Sequence, residues 1–444
     1  MTDNVYNVPT VKKTGKSKKI TVHVPGSKSI TNRALLIGAA ANGISSLNGC
    51  LTSDDAYHFL ECLKTLGFVI KEASDGSLGS NIEITGTGGD IPNKKAKIYV
   101  GSAGTAARFL VAMLAFSDGE YTVNSSEQMK KRPMQPLIDS LRDAGAEVLC
   151  LEEEGHFPLK IVGAKAKGQI PDSFTVNIDK SSQFLSALLI AAGTLHKNIT
   201  INVKGSHGLS YVDLTAKMMK DFGVTVQKTE IDGSIAYIFS GEDSYNGTNY
   251  NIEPDMSAAA YFFALAAILG VSVSVCGVKD NMLQGDIEFI ALLEKMGCTK
   301  TYTENGDIVL TGTEDGRLKG GFKVDMSSFS DQALTLAAIA PFADAPITIT
   351  GIGHIRLQEC DRIHAISKNL STLGIKTDEC ENSITIYPQA PNGGLIETFD
   401  DHRVAMSFAL TGLKTDGIKI ENPQCCKKTF AEYFDVLEKT ISKI

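Results

Sequence analysis

The sequence predicts an α/β protein of two domains, and three observations support this prediction. The chain has 444 residues, more than the roughly 100 to 200 residues of a typical domain. An amphipathic helical segment and an apolar helical segment alternate along the chain, and each is followed by a strand-like run. Both recur at intervals of roughly 75 residues, which indicates a structural repeat. Six repeats of this size favour two domains of three repeats each.

The amphipathic segments end in a glycine that precedes a strand-like run. A glycine at this position supplies the positive φ that commonly ends a helix. A sixth copy, residues 429–444, ends the chain before any such strand. The turn glycines are Gly67, Gly145, Gly223, Gly297 and Gly374.

The second recurrent segment is rich in Ala and Leu. A helix that is apolar nearly all round is a buried helix, so we expect these helices to pack inward and the sheets to lie outside them. The six copies, each with its following strand, are residues 33–47, 106–123, 184–201, 258–275, 333–349 and 404–420. Residues 256–278 carry no charge and are long enough to span a bilayer. Gly270 interrupts them, which favours a buried helix over 257–268 and a strand over 271–276.

The order of the repeats predicts where the chain passes between the domains. Because the last repeat lacks its closing strand, we expect the N-terminal run KKITVHV to complete a sheet of the C-terminal domain. This arrangement predicts one domain over residues 21–251, which holds repeats one to three. The other domain comprises residues 1–20 and 252–444.

Composition excludes several classes of protein. The net charge of −8 argues against a broad nucleic-acid surface, which needs a basic face. The first residues carry no apolar stretch of a secretory signal. The nine cysteines are scattered without a CxxC spacing, which favours reduced thiols over disulfides or a zinc site. We therefore predict a cytoplasmic protein without a membrane anchor or a metal.

Polar and glycine-rich residues begin each buried helix, as in PGSKS, VGSAGT, DKSSQ and DDHR. Free N–H groups at a helix start attract anions, although Ser, Thr and Asp there also serve as plain caps. Asp255 is open to either interpretation. The chain has eight arginines, and six of them lie in these and neighbouring motifs. Since arginine grips phosphate and carboxylate groups with two hydrogen bonds, we predict a site for small polyanions.

Two carboxylates near these cations are candidates for proton transfer. Asp331 lies at a helix start, and Glu359 lies three residues before Arg362. The spacing alone also fits structural salt bridges.

Together these motifs resemble the 5-enolpyruvylshikimate-3-phosphate synthase family. The likeness covers nearly the whole chain, in order. That family has a two-domain inside-out α/β barrel built from six βαβαββ repeats, with its active site in the cleft between the domains. The motifs are VPGSKSITNRALLI, GSAGTAARFL, KKRPMQPLIDSLRDAGA, SSQFLSALL, QGDIEFIALLEKMG, FSDQALTLAAIA, RLQECDRI, DDHRVAMSFAL and KKTFAEYF.

The resemblance implies a reaction and its residues. The enzyme would transfer the enolpyruvyl group of phosphoenolpyruvate to the 5-hydroxyl of 3-phosphoshikimate and release phosphate, in aromatic amino-acid biosynthesis. Asp331 would be the base and Glu359 the acid, and Lys28 could exchange roles with either. The implied substrate contacts are Lys28, Ser29, Arg33, Gly104, Arg132, Ser181, Ser182, Gln183, Asp331, Arg362, Arg403 and Lys428.

The resemblance further implies a monomer that needs no cofactor and that glyphosate inhibits. Four positions depart from the family pattern: Ser102, Gly208, His354 and Gln358. One alternative is the related UDP-N-acetylglucosamine enolpyruvyl transferase, whose mobile loop typically carries a cysteine that residues 125–131 lack. Another is a non-catalytic relative that binds anions.

Overall fold

The computed structural model describes residues 4–11, 19–74, 79–168, 170–206, 208–231 and 233–444. The chain forms two compact units. The N-unit is Gly26–Ile252, and the C-unit combines Met1–Pro25 with Glu253–Ile444.

Helices and strands alternate through both units. The helices are α1 (Lys28–Ala40), α2 (Asp54–Thr65), α3 (Gly104–Ala115), α4 (Glu127–Lys130), α5 (Gln135–Asp143), α6 (Ala164–Lys167), α7 (Gln183–Ala192), α8 (Leu209–Asp221), α9 (Met256–Leu269), α10 (Glu288–Lys295), α11 (Ala333–Ile339), α12 (Arg362–Thr372), α13 (His402–Gly412) and α14 (Tyr433–Ile441). Short 3₁₀ helices cover Gly285–Ile287, Ser330–Gln332, Ala340–Phe342, Gly353–Leu357 and Pro423–Lys428.

The strands are short and follow the same order in successive repeats. They are β1 (Val5–Asn7), β2 (Ile20–Val22), β3 (Asn42–Leu51), β4 (Val69–Ser74), β5 (Gly79–Thr87), β6 (Lys95–Tyr99), β7 (Glu120–Asn124), β8 (Glu147–Cys150), β9 (Leu159–Val162), β10 (Ser173–Asn177), β11 (Asn198–Lys204), β12 (Gln227–Ile231), β13 (Ser234–Ser240), β14 (Asn249–Asn251), β15 (Ser272–Val275), β16 (Thr299–Tyr302), β17 (Ile308–Thr311), β18 (Phe322–Asp325), β19 (Ile347–Thr350), β20 (Thr377–Cys380), β21 (Ser383–Ile386), β22 (Gly394–Ile396) and β23 (Ile418–Glu421).

Each complete repeat builds one four-stranded sheet. In the second repeat β6 pairs in parallel with β7, and β7 and β8 each pair antiparallel with β9. The third and fifth repeats follow the same plan, with strand orders β10-β11-β13-β12 and β18-β19-β21-β20. The βαβαββ repeat predicted from the sequence is therefore confirmed. The final repeat is shorter, since its sheet has the order β1-β23-β22.

Strands from distant parts of the chain complete three of the sheets. The parallel strand of the first repeat is β14, which pairs with β3. The parallel strand of the fourth repeat is β2, from the run KKITVHV, which pairs with β15. The last repeat is closed by β1, which pairs antiparallel with β23.

These pairings correct the predicted domain boundaries. The prediction assigned residues 21–25 to the N-terminal domain, but they belong to the C-unit. The reason is that β2 extends through Val22 in the sheet of β15, and the Pro25 carbonyl accepts a hydrogen bond from Asp255 N at 2.8 Å. The second crossover lies between Ile252 and Glu253, one residue later than predicted.

The apolar helices form the interior of each unit, as the sequence predicts. In the N-unit α3 packs on α1 and α7, and in the C-unit α9, α11 and α13 pack on one another. Every residue of α3 is buried, whereas β4 is largely exposed. The five turn glycines all have positive φ, between 78° and 104°, as expected for their role in ending helices.

The apolar segment 256–278 divides as the sequence predicts. It forms α9, Gly270 at φ 64°, and then β15. Within the described residues, no helix has the length and apolar character needed to cross a membrane.

Candidate active site

The predicted site residues lie in two clusters, one in each unit. In the N-unit they lie at the starts of the buried helices α1, α3 and α7, together with Arg132 in the segment between α4 and α5. In the C-unit they lie at the starts of α12 and α13, in two of the 3₁₀ helices and, for Glu359, in the segment just before α12. We call these the N-cluster and the C-cluster.

The start of α1 carries a lysine and a capping serine. Ser27 caps the helix by accepting a hydrogen bond from Ile30 N at 3.5 Å. Lys28 Nζ lies 3.6 Å from Oδ2 of the buried Asp55, at the start of α2. Ser29 is half-buried. The ion pair holds the ammonium of Lys28 beside the start of α1. The ammonium and the positive end of the helix dipole both favour a bound anion there.

Arg33 is anchored inside the N-unit. Only 2% of the residue is exposed. Its Nε donates to Thr215 Oγ1 at 2.7 Å, its Nη1 to the Ser29 carbonyl at 2.9 Å and its Nη2 to the Tyr211 carbonyl at 3.2 Å. Burial lowers the pKa of Arg33 to about 10. These contacts give Arg33 a structural role between α1 and α8, and its contact with substrate stays a prediction.

Two guanidinium groups pack against the start of α3. A Cβ on Gly104 would lie 2.8 Å from Cζ of Arg132 and 2.9 Å from Nη1 of Arg108. Because glycine has no Cβ, both cations approach the first turn of the helix. The capping residue Ala103 offers no side-chain hydrogen bond. The helix start and the two arginines together form a strongly anion-attracting surface.

Gln183 joins the starts of α7 and α3. Its Oε1 accepts a hydrogen bond from Arg108 Nη1 at 2.7 Å, and its Nε2 donates to Thr105 Oγ1 at 3.3 Å. Ser181 Oγ accepts from Gln183 N at 3.3 Å, and Ser182 is buried beside it. The serines and the glutamine predicted from the sequence therefore lie in one cluster with Gly104.

Arg362 is the centre of the C-cluster. Only 1% of its side chain is exposed, yet three carboxylates contact it. Its Nη1 lies 3.1 Å from Asp331 Oδ1, its Nη2 lies 2.9 Å from Glu359 Oε2, and its Nε donates to Asp401 Oδ2 at 2.8 Å. Burial opposes the charge of Arg362, but these carboxylates raise its pKa above the ordinary value. The guanidinium thus remains charged and aligns both candidate proton-transfer groups.

Each candidate carboxylate also contacts a second cation. Asp331 Oδ2 accepts a hydrogen bond from Arg403 Nη2 at 2.7 Å, and Glu359 Oε1 lies 3.3 Å from Lys428 Nζ. Burial opposes the charge of Arg403, but the Asp331 carboxylate and other nearby anions raise its pKa well above the ordinary value. Direct side-chain contacts therefore connect all five predicted residues of this unit, which are Asp331, Glu359, Arg362, Arg403 and Lys428.

Three of the positions that depart from the family pattern lie at the edges of these clusters. Gly208 begins α8 with φ 63°, and a Cβ there would lie 2.7 Å from Ser182 Oγ. His354 Nε2 lies 2.8 Å from Ser330 Oγ. The Gln358 side chain accepts a hydrogen bond from Arg362. Gly208 and Gln358 therefore lie next to predicted site residues, and His354 contacts Ser330, the residue before Asp331.

Sequence reasoning missed three buried carboxylates. Asp401 is fully buried, contacts Arg362, and caps α13 by accepting from Arg403 N at 2.8 Å. Asp55 pairs with Lys28, and Asp286 accepts a hydrogen bond from Gln332, the residue after Asp331. Asp401 stands in the DDHR motif and Asp55 in an SDD helix start, so both sequences resemble ordinary caps. For Asp255 the structure shows capping, since Oδ1 accepts from Ala258 N at 2.9 Å.

Comparison with known proteins identifies the family. Residues 12–437 match the family model of EPSP synthase (3-phosphoshikimate 1-carboxyvinyltransferase). The chain is 42% identical to 3-phosphoshikimate 1-carboxyvinyltransferase of Trichormus variabilis, over 95% of this chain and 96% of that protein. It is 43% identical to 3-phosphoshikimate 1-carboxyvinyltransferase 2 of Halalkalibacterium halodurans, over 94% and 91%. The solved EPSP synthase of Acinetobacter baumannii aligns with a TM-score of 0.76 at 27% identity, over 97% of each chain. With its repeated fold and its two clusters, this chain belongs to the EPSP synthase family.

Proposed function

We propose that residues of the N-cluster and residues of the C-cluster both take part in the reaction of this family. The chain is a transferase that moves the enolpyruvyl group of phosphoenolpyruvate to the 5-hydroxyl of 3-phosphoshikimate and releases phosphate. One observation carries the assignment of residues: a single buried guanidinium, Arg362, contacts both Asp331 and Glu359.

The N-cluster has the groups needed to hold the phosphates. We assign Ser181, Ser182 and Gln183 to 3-phosphoshikimate because hydroxyl and amide groups at a helix start donate to phosphate oxygens. Arg132 and Gly104 are assigned to phosphoenolpyruvate, since the bare backbone of α3 and an adjacent guanidinium suit a compact anion. Lys28, Ser29 and Arg33 are assigned to the edge near α1, where Lys28 can contact either substrate.

The C-cluster has the groups needed to move protons. Asp331 takes the proton of the 5-hydroxyl while the oxygen bonds to C2 of phosphoenolpyruvate. Glu359 gives a proton to C3, which becomes a methyl group in a tetrahedral intermediate. The C2–O bond to phosphate then breaks, a methyl proton returns to a carboxylate, and the methylene re-forms. Lys28 is an alternative donor or acceptor for either step. Arg403 and Lys428 stabilise the charge of the substrate anion.

Glu359 must acquire a proton before it can act as the acid. In the structure two cations contact it and favour its ionised form. An arriving phosphoenolpyruvate anion competes for Lys428 and Arg362, which weakens their hold on Glu359. We therefore propose that binding of this substrate prepares the acid.

The proposal also covers the oligomeric state, the cellular compartment and the cofactor requirement of the enzyme. We infer a monomer that works in the cytoplasm without a cofactor. All nine cysteines lie in the described part of the chain, and none of them is in a disulfide, which fits a reducing compartment.

Turnover in deuterated water tests the roles of the two carboxylates. Because C3 passes through a methyl group, the proposal predicts deuterium in the methylene of the product and of recovered phosphoenolpyruvate. Glu359→Gln should abolish this exchange while 3-phosphoshikimate still binds. Asp331→Asn should abolish product formation. Exchange at the wild-type rate in Glu359→Gln would remove Glu359 from proton transfer to C3.

A further inference from the structure

Asp286 is a buried carboxylate that the mechanism above does not use. It lies in the 3₁₀ helix Gly285–Ile287 and is 4% exposed. Its Oδ1 accepts a hydrogen bond from Gln332 Nε2 at 2.8 Å and one from Ser257 Oγ at 3.4 Å. A buried charge is costly unless it is hydrogen-bonded, so these donors account for its presence in the interior.

The segment that carries Asp286 joins the starts of two buried helices. Gln284 Oε1 accepts a hydrogen bond from Met256 N at 3.0 Å, and Gln284 Nε2 donates to the Pro254 carbonyl at 2.8 Å. Through Gln284 the segment is fixed to the start of α9. Through Asp286 it is fixed to Gln332, in the 3₁₀ helix that leads into α11.

Gln332 follows Asp331 directly in the chain. The Gln332 side chain is fully buried, and its Oε1 accepts a hydrogen bond from Thr335 Oγ1 at 3.1 Å. Both ends of the amide are therefore engaged, and the amide holds the turn Ser330–Gln332 in one position. The carboxylate of Asp331 projects from this same turn toward Arg362 and Arg403.

Charge connects Asp286 to the same site. Burial, and then the negative charge of Asp331, raise the pKa of Asp286 to about 6, while Arg403 and the Gln332 hydrogen bond act in the opposite direction. Asp255, the cap of α9, adds a smaller repulsion. Asp286 is thus close enough to Asp331 for each carboxylate to sense the charge of the other.

We propose that Asp286 is a positioning residue for Asp331: through Gln332 it fixes the turn that presents the Asp331 carboxylate to Arg362 and Arg403. This inference depends on the base role given to Asp331 under the proposed function. A shift of about 1 Å in a reacting group can cost about a hundredfold in rate, so loss of the anchor should lower kcat.

Three variants separate the hydrogen bond from the charge. Asp286→Ala removes both the charge and the hydrogen bond from Gln332. Gln332→Met removes the hydrogen bond but keeps the carboxylate. Asp286→Asn removes the charge but keeps an oxygen that can accept from Gln332. We expect the first two to lower kcat by roughly tenfold to a hundredfold, with KM for both substrates changed less than threefold. In Asp286→Asn kcat should stay within about threefold of wild type, and the acidic limb of the kcat profile should move to lower pH.

A double variant and a matched control complete the test. Because both residues act through one hydrogen bond, Asp286→Ala with Gln332→Met should be no slower than the slower single variant. Thr411→Val serves as the control, since it removes a buried hydrogen bond, Thr411 Oγ1 to the Ala338 carbonyl at 2.8 Å, from the same interior. If Asp286→Ala does not fold, Gln332→Met still decides the question.

The outcomes distinguish the inference from the function on which it rests. The positioning role is overturned if the Asp286 and Gln332 variants match Thr411→Val in kcat, or if their effects multiply in the double variant. Asp331→Asn is measured alongside. An inactive Asp331→Asn with unaffected Asp286 and Gln332 variants refutes the positioning role alone, whereas a fully active Asp331→Asn refutes the base role of Asp331.

Discussion

Glu359 Oε2 lies 2.9 Å from Nη2 of Arg362, and Glu359 stands three residues earlier, in the segment that leads into α12. The same guanidinium contacts Asp331 and Asp401. Three carboxylates on one buried arginine would repel one another without additional cations, and Lys428 and Arg403 supply these at the outer oxygens of Glu359 and Asp331. Such an arrangement makes the protonation of each carboxylate depend on which anion occupies the cations.

The first prediction concerns Glu359→Gln. The amide keeps the size of the side chain but has no proton to transfer, so turnover should fall by roughly a hundredfold or more, with 3-phosphoshikimate still bound. Glu379→Gln is the matched control, because Glu379 is also a glutamate paired with an arginine, Arg356, at 2.9 Å. Phosphate release and calorimetric binding measure the two effects. Near wild-type turnover in Glu359→Gln would count against a catalytic role.

The second prediction concerns Gly104→Ala and glyphosate. The added methyl group would contact the guanidinium of Arg132, which is the end of a flexible side chain and can move aside without unfolding the protein. We expect glyphosate, as a longer mimic of phosphoenolpyruvate, to lose more affinity than the substrate. Inhibition and Michaelis constants for both proteins decide this. Equal losses for the two ligands would show that Gly104 serves only the backbone geometry of α3.

The third prediction concerns Arg33→Lys. A lysine cannot reproduce the three hydrogen bonds that Arg33 makes to Thr215, Ser29 and Tyr211. The free energy of unfolding should therefore fall by about 2 to 4 kcal/mol, as measured by urea denaturation. Arg317→Lys is the control, since Arg317 is exposed and its replacement should cost less than about 0.5 kcal/mol. A raised KM with unchanged stability would instead mark Arg33 as a substrate ligand only.

The fourth prediction concerns the pH dependence of stability. Burial and the negative charge of Asp331 raise the pKa of Asp286 to about 6 in the folded protein, from its ordinary value of 3.8. Between these values the folded state binds more protons at this site than the unfolded state, so Asp286 makes stability fall as pH rises. Asp286→Asn should therefore gain stability relative to wild type as pH rises from about 4 to above 6. Urea denaturation at pH 5 and pH 7.5 measures the difference, and a constant difference would contradict the prediction.

The repeat could be predicted from the sequence because each copy carries local signals. The turn glycines and the apolar helices are set by neighbouring residues, so Gly67 and its four counterparts have the expected positive φ. The domain boundary could not be predicted exactly, because the three residues of β2 do not indicate which strand they pair with. Only the long-range pairing of Ile20–Val22 with β15 assigns residues 21–25 to the C-unit.

The candidate site, like the fold, could be predicted from the sequence only in part. The residues predicted to contact the substrates stand in recognisable motifs, and the sequence indicates them. Asp286 and Asp401 also stand in quoted motifs, QGDIEFIALLEKMG and DDHRVAMSFAL. Their partners Gln332 and Arg362 are distant in the chain, so the local sequence does not show these contacts. The burial of Arg33 could not be predicted from the sequence either. Its partners Thr215 and Tyr211 lie on α8, 182 and 178 residues further along the chain.

The most direct test of the account measures phosphate release with two acceptors. The purified protein is mixed with phosphoenolpyruvate and either 3-phosphoshikimate or UDP-N-acetylglucosamine, and phosphate is followed by a coupled assay. We predict one phosphate released per carboxyvinyl ether formed with 3-phosphoshikimate, no release with the nucleotide sugar, and loss of the activity in Glu359→Gln. Release with the nucleotide sugar alone, or no release with either acceptor while 3-phosphoshikimate still binds, would contradict the assigned function.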